Sequence, residues 1–192
     1  MLGLGNPGRR YAGTRHNVAW EVLDDLADRW HATRGTASPV FGTRRAEVGA
    51  ETVVLMEPLT FMNHAGEALR AWLDAAPVAD DALLVVSDDV YLPVGALRLR
   101  SRGSSGGHRG LESIEQVLGT RQFARLRLGV GAAGSSEALR EHVLDRFAAE
   151  ERVQMDEVVR EAADAVACWV AEGILAAMNR FNRSAGKEVR EP

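Results

Sequence analysis

The chain has one cysteine in 192 residues, so Cys168 has no partner for an internal disulfide and no second thiol with which to share a metal. Set in the apolar stretch AVACWVAEGIL, it reads as a small buried hydrophobe. Histidines number five and none recurs at the paired spacing of a zinc site, so no metal is expected. No apolar run approaches the roughly 20 residues that a bilayer-spanning helix needs. The first residues also lack the charged-then-apolar order of a signal peptide, and a cytoplasmic protein with no membrane partner is expected. Nor is there an excess of positive charge. A formal net charge of −4 argues against a protein that coats nucleic acid nonspecifically.

What charge there is lies unevenly. Residues 91–130 carry Arg98, Arg100, Arg102, Arg109, Arg121, Arg125 and Arg127 against only Glu112 and Glu115, a local net of +5. Residues 131–165 reverse this, with nine acids against four arginines. Such segregation permits a phosphate-binding face on an acidic protein, although a solvated charge run uses the same residues.

With 46% hydrophobic residues, the chain can bury one substantial core, and a single domain over residues 1–192 is expected. Val18, Val22, Leu23, Leu26 and Trp30 fall at helical spacing behind Asn17, a plausible N-cap. Two short runs around 40–48 and 52–57, separated by Gly49, predict an antiparallel hairpin ending at Pro58. A helix is expected from Met62 to Ala75, on the face of Ala65, Leu69, Trp72 and Leu73. Leu83-Leu84-Val85-Val86 suits a strand buried on both sides, with Asp88 where it should end. A strand near 96–100, a glycine- and serine-rich loop at 103–107, a helix over 111–118 and a strand near 125–130 follow. A helical stretch over 150–177 with Gly173 as an interruption comes next, and residues 185–192 read as a frayed tail. The order predicts an α/β fold, a mixed and mostly parallel sheet flanked by helices.

Gly3-Leu4-Gly5-Asn6-Pro7-Gly8 matches the dinucleotide-binding pattern G-x-G-x-x-G. That pattern needs a complete strand before it and a helix opening inside it. Only Met1 and Leu2 precede Gly3, and no helical pattern starts until Asn17, so a nucleotide cofactor is not expected.

The loop Tyr11-Ala12-Gly13-Thr14-Arg15-His16-Asn17 carries the best candidate for chemistry. Imidazole titrates near neutral pH, so His16 suits a general base that takes a proton from water. Asp88, expected at a strand terminus, would hold that ring in one tautomer and stabilise its charged form. Asn6, Asn17 and Asn63 recur beside the glycine loop, the histidine and the second helix, and amides can grip a peptide group or an oxyanion. Each alone also suits a turn or a cap. His31 ends a helix, and His64 and His142 have no evident partner. Gly106-Gly107-His108-Arg109-Gly110 could present backbone N–H groups to a phosphate or carbonyl, as could any flexible connection.

The runs GLGNPG, YAGTRHN, FMNHAG, SDDVYLPVG, GGHRGL and RLRLGVG stand in one order over nearly the whole chain. In this the chain resembles the bacterial peptidyl-tRNA hydrolase family. The resemblance implies a monomeric, cofactor-free esterase that frees tRNA from an N-blocked peptide, with peptidyl-tRNA as its nucleic-acid partner. It implies His16 as general base, Asp88 as its orienter, and Asn6 as the group separating peptidyl-tRNA from unblocked aminoacyl-tRNA. By the same resemblance Tyr11, Phe61 and Asn63 would contact the substrate's 3′ end and peptide, and Arg98, Arg100 and Arg127 tRNA phosphates. Arg109 stands where the family has asparagine, bringing charge and donors but no acceptor. Tyr91 replaces a frequent acid, and Ala19 a usual glycine. The strand before GLGNPG is shorter than the family's, which is expected to lower stability and loosen the Asn6 loop. The alternative is an RNA-binding protein on the same fold that has lost hydrolysis.

Overall fold

A computed structural model describes residues 1–76, 82–132 and 136–182. The tail expected over 185–192 lies outside the described residues. Among the described residues, seven strands form one sheet: β1 (Leu2–Gly3), β2 (Thr33–Ala37), β3 (Phe41–Val48), β4 (Glu51–Pro58), β5 (Leu84–Asp89), β6 (Leu97–Arg100) and β7 (Ala124–Gly129). Their order is β2-β3-β4-β1-β5-β7-β6. β4, β1, β5 and β7 run parallel, while β2–β3, β3–β4 and β6–β7 pair antiparallel. Parallel pairing therefore occupies the centre and antiparallel pairing the two margins.

Among the described residues, six helices cover the faces: α1 (Val18–Arg29), α2 (Ala65–Ala75), α3 (Arg109–Leu118), α4 (Ser136–Leu144), α5 (Ala149–Glu172) and α6 (Ile174–Phe181). Side chains alternate across a strand, and β5 divides accordingly. Leu84 and Val86 join Leu23, Leu26, Leu126 and the Val158, Ala162 and Val166 stripe of α5 on one face. Val85 joins Leu4, Leu69, Leu111 and Ile114 of the α2–α3 layer on the other. Both faces are covered, which is why β5 reads as a continuous apolar run. No helix among the described residues is long and apolar enough to cross a membrane.

β1 has two residues, yet Leu2 aligns with Met56 of β4 and with Val85 of β5, and the Leu4 N–H reaches the Val86 carbonyl at 2.9 Å. The expected 150–177 helix is present as α5 and α6, broken at Gly173, whose φ of 84° is a left-handed conformation that glycine adopts without strain. Just past α6, the Asn182 side chain accepts from the Leu99 N–H at 2.7 Å and donates to the Leu99 carbonyl at 3.0 Å, on the outer side of strand β6.

The second helix starts later than expected, because Met62–His64 form a 3-10 turn before α2. Asn17 does not cap α1; its side chain is engaged elsewhere. Two elements lie outside the sequence reading: the margin strand β2 and the helix α4.

Candidate active site

His16 lies in a 3-10 turn, Arg15–Asn17, that leads into α1, and residues on either side tie that turn down. The buried Arg15 donates to the Val130 carbonyl at 3.0 Å and to Glu151 at 2.6 Å, and its guanidinium lies 4.7 Å from the Phe147 ring. Its backbone N–H bonds the Asp145 carbonyl at 3.0 Å. On the other side Asn17, also buried, clasps the backbone of Asn6: its Oδ1 accepts from the Asn6 N–H and its Nδ2 donates to the Asn6 carbonyl, both at 2.9 Å. One neighbour therefore anchors the turn to the α4–α5 connection, and the other anchors it to the glycine loop.

Asp88 lies near the carboxyl end of β5 with a side chain only 2% exposed. His16 Nδ1 is 2.7 Å from its Oδ1, and His108 Nε2 is 2.9 Å from the same oxygen. The ring states follow from the remaining contacts. His108 Nδ1 accepts the backbone N–H groups of Gly110 and Leu111 at 3.2 and 3.3 Å, capping α3. That nitrogen must be unprotonated, so Nε2 carries the hydrogen and donates to Asp88. His16 donates through Nδ1–H, which leaves its Nε2 as the nitrogen available to a proton. Burial alone would raise the Asp88 carboxyl. Electrostatic attraction to the two imidazole rings and the hydrogen bonds that both donate outweigh burial and hold it well below the usual carboxylate range.

The start of α3 approaches this group closely. A side chain at Gly110 would place a carbon 2.5 Å from Met62 Sδ, 2.9 Å from Leu4 and 3.1 Å from the His108 ring. Any larger residue would oblige the buried Met62 and Leu4 side chains to shift. The Met62 N–H in turn donates to Asn6 Oδ1 at 2.8 Å. This bond fixes the Asn6 amide orientation, so Nδ2, a donor, is the end left for a ligand.

His16, Asp88 and His108 form the floor of a cleft of about 410 Å³, also lined by Asp89, Val90, Tyr91, Ser105, Arg109, Glu112 and Arg127, and by Leu139, Arg140 and Val143 of α4. The cleft sits at the carboxyl ends of parallel strands β5 and β7, where ligands of open α/β sheets collect.

The model of the peptidyl-tRNA hydrolase family matches residues 1–190. The chain belongs to the peptidyl-tRNA hydrolase family. It is 45% identical over 184 residues to the peptidyl-tRNA hydrolase of Geobacillus kaustophilus, covering 95% of this chain and 98% of that one. It is 42% identical over 202 residues to that of Roseiflexus castenholzii, covering 100% and 94%. The crystal structure of peptidyl-tRNA hydrolase from Acinetobacter baumannii superposes with a TM-score of 0.89 at 33% identity, over 94% of this chain and 92% of that one.

Within this peptidyl-tRNA hydrolase fold, the residues singled out from sequence fall into three groups. His16 and Asp88 are in contact, and Arg109 and Arg127 line the same cleft. Tyr11 and Phe61 form an edge-on ring pair at 6.4 Å beside Asn6 and the exposed Asn63, with the Arg10 guanidinium 4.5 Å from the Tyr11 ring. Arg98 and Arg100 lie on margin strand β6, Arg98 opposite Arg127 and Arg100 opposite Arg125. These basic residues are not alike. Arg127 is engaged by Asp89 at 3.0 Å and by the Ser104 carbonyl at 2.6 Å. Arg125 is 1% exposed, paired with Glu115 and packed on Phe123. Arg98 and Arg100 make no ion pair among the described residues.

His108 is the residue of the constellation that sequence reasoning missed; its position before a helix, in GGH, is the signal of a cap. His64 and His142, read as partnerless, have partners: Glu67 at 2.7 Å and the Val130 carbonyl at 3.0 Å. His16, Asp88 and His108 present ligand-type atoms within 4.8 Å of one another. Their spacing is that of direct hydrogen bonds to one oxygen, and His108 has committed both ring nitrogens, so the set is built for protons rather than for a shared ion.

Proposed function

We propose that His16 is the general base by which this member of the family hydrolyses the ester between an N-blocked peptide and the 3′ ribose of tRNA. The observation that carries this reading is the 2.7 Å contact from His16 Nδ1 to the buried Asp88, which fixes the tautomer and frees Nε2. In the proposed sequence, Nε2 takes a proton from water as the oxygen attacks the ester carbonyl. Asp88 stabilises the imidazolium that forms. A donor, the Asn63 amide or a backbone N–H, steadies the oxyanion. The carbon–oxygen bond to the ribose then breaks, the electron pair stays with the ribose oxygen, and the imidazolium returns its proton there. Free tRNA and an N-blocked peptide leave.

Asn6 supplies the preference for blocked substrates. With Oδ1 held by Met62, Nδ2 donates to the carbonyl of an acylated nitrogen, whereas an unblocked aminoacyl ester offers an ammonium group that has no acceptor for it. Arg98 and Arg100 are proposed to meet tRNA phosphates, with Tyr11 and Phe61 packing near the 3′ end.

The test is hydrolysis of N-acetyl-aminoacyl-tRNA by the wild-type chain and His16→Ala, with the unblocked ester as control. Cleavage of the blocked ester by wild type alone supports the assignment. Equal cleavage by the variant would remove His16 as base, and binding of tRNA without cleavage by either would favour an RNA-binding role.

A further inference from the structure

Among the described residues, three arginines line the cleft, Arg109, Arg127 and Arg140, and only Arg127 has its charge answered, by Asp89. The side chains of Arg109 and Arg140 make no hydrogen bond or ion pair among the described residues. Two of the three carboxylates of the cleft are firmly held, and Glu112, in the first turn of α3, has one long hydroxyl contact. Asp88 is bound by two histidines, Asp89 by Arg127 and the Tyr91 N–H, and Glu112 takes the Ser105 hydroxyl at 3.5 Å. Two exposed arginines with no partner for their charge among the described residues therefore line one cavity, Arg109 at the first residue of α3 and Arg140 on α4.

The position of Arg109 sharpens this. The amino end of a helix carries partial positive charge that adds to the charge of Arg109, with Glu112 as the one acid in the first turn, so this end of α3 favours a further anion. Neither Arg98 nor Arg100, the arginines proposed for phosphates, lines the cleft, whereas Val90, Leu139 and Val143 do. Aliphatic walls suit peptide side chains better than a hydrated phosphodiester.

We infer that the cleft holds a specificity subsite for an acidic side chain of the peptide moiety, bound between Arg109 and Arg140. This rests on the hydrolase reading above. A carboxylate there gains charge-assisted, two-sided hydrogen bonding that a neutral amide of the same shape cannot match.

The experiment compares kcat/KM for two N-acetyl-dipeptidyl-tRNAs that differ only in the residue next to the ester-linked one, glutamate or glutamine. Wild type is expected to favour glutamate by roughly five- to ten-fold, the scale of one charge-assisted contact. The ratio falls to about one in Arg109→Gln/Arg140→Gln and partway in each single variant. Because it compares two substrates on one protein, the ratio is insensitive to a loss of folded enzyme. A wild-type ratio near one, or a preference that survives in the double variant, overturns the subsite. A loss that is equal for both substrates and grows with salt also overturns it, and points to a phosphate contact instead. Wild type that cuts neither substrate would overturn the hydrolase reading itself.

Discussion

His16 and His108 share one oxygen of Asp88, at 2.7 and 2.9 Å, with their rings 5.2 Å apart and tilted by 46°. The two histidines are not equivalent in this arrangement. His108 has spent both nitrogens, one on the helix and one on the carboxylate, while His16 keeps one in reserve.

Replacing the charge at the centre tests this directly. Asp88→Asn keeps the shape but removes the stabilisation of an imidazolium at His16, and kcat should fall roughly 10²- to 10⁴-fold with a small change in KM. Because the folded carboxyl sits below its ordinary value of 3.8, the stability that its charge contributes is fully present above that value. It is lost only as pH falls below it toward the folded pKa. Chemical denaturation should therefore give a wild-type minus Asp88→Asn difference that is still present in full at about pH 5 and narrows below about pH 4. A difference that narrows already between pH 7 and 5 would contradict the depressed carboxyl.

The two jobs of His108 can be separated. Asn at this position can still cap α3, so His108→Asn should cost little stability yet lower kcat by about ten-fold, through loss of one hydrogen bond to Asp88. His108→Ala gives up the cap as well and should lose about 1 kcal/mol more in urea melts. Equal stability of the two variants would count against the capping role.

Asn17 offers a test of the clasp behind the site. In Asn17→Ala the buried N–H and carbonyl of Asn6 lose their partners, at a cost of about 1–3 kcal/mol for each group that water cannot reach. Thermal melting should drop, and hydrolysis of blocked substrate should drop further than the folded fraction explains, because the loop that presents Asn6 is no longer held. Unchanged melting would show that the clasp contributes nothing.

The arginines of the β6–β7 margin divide by burial. Arg98→Gln and Arg100→Gln should leave the melting temperature unchanged and raise KM. Each should also flatten the logarithmic salt slope of tRNA binding by about one, the share of a single phosphate that its guanidinium no longer neutralises. Arg125→Ala should do the opposite: roughly 3 kcal/mol of stability lost with the salt slope intact, since it empties a buried site and strips a partner from Glu115. Salt slopes that follow Arg125 rather than Arg98 and Arg100 would place the tRNA elsewhere.

Where a pattern was local, the sequence was legible. The stripe of Val18, Val22, Leu23 and Leu26 became α1, the run around Val85 became the doubly covered β5, and Gly173 marked the break before α6. β2 was hidden because Thr33–Ala37 has no apolar alternation; it is held by backbone pairing to β3 at the margin, with little of it buried. α4 was hidden in an acidic segment whose charges drew notice before its periodicity. At the site, His16 and Asp88 were visible as residue types suited to a base and its orienter. The part of His108 was not, because its contact with Asp88 spans 20 residues and its capping role depends on where α3 begins. Asn17 misled for the same reason. A cap is the commoner use of asparagine before a helix, and only the return of the glycine loop to its side gives it another.

The amide of Asn182 imitates, at Leu99, the pair of hydrogen bonds that a neighbouring strand would make. An uncovered sheet margin is a template on which other chains can add strands and aggregate. Here the middle of that margin is filled by one side chain, delivered only when α6 has packed, so completing the fold and withdrawing the template from other molecules are the same event.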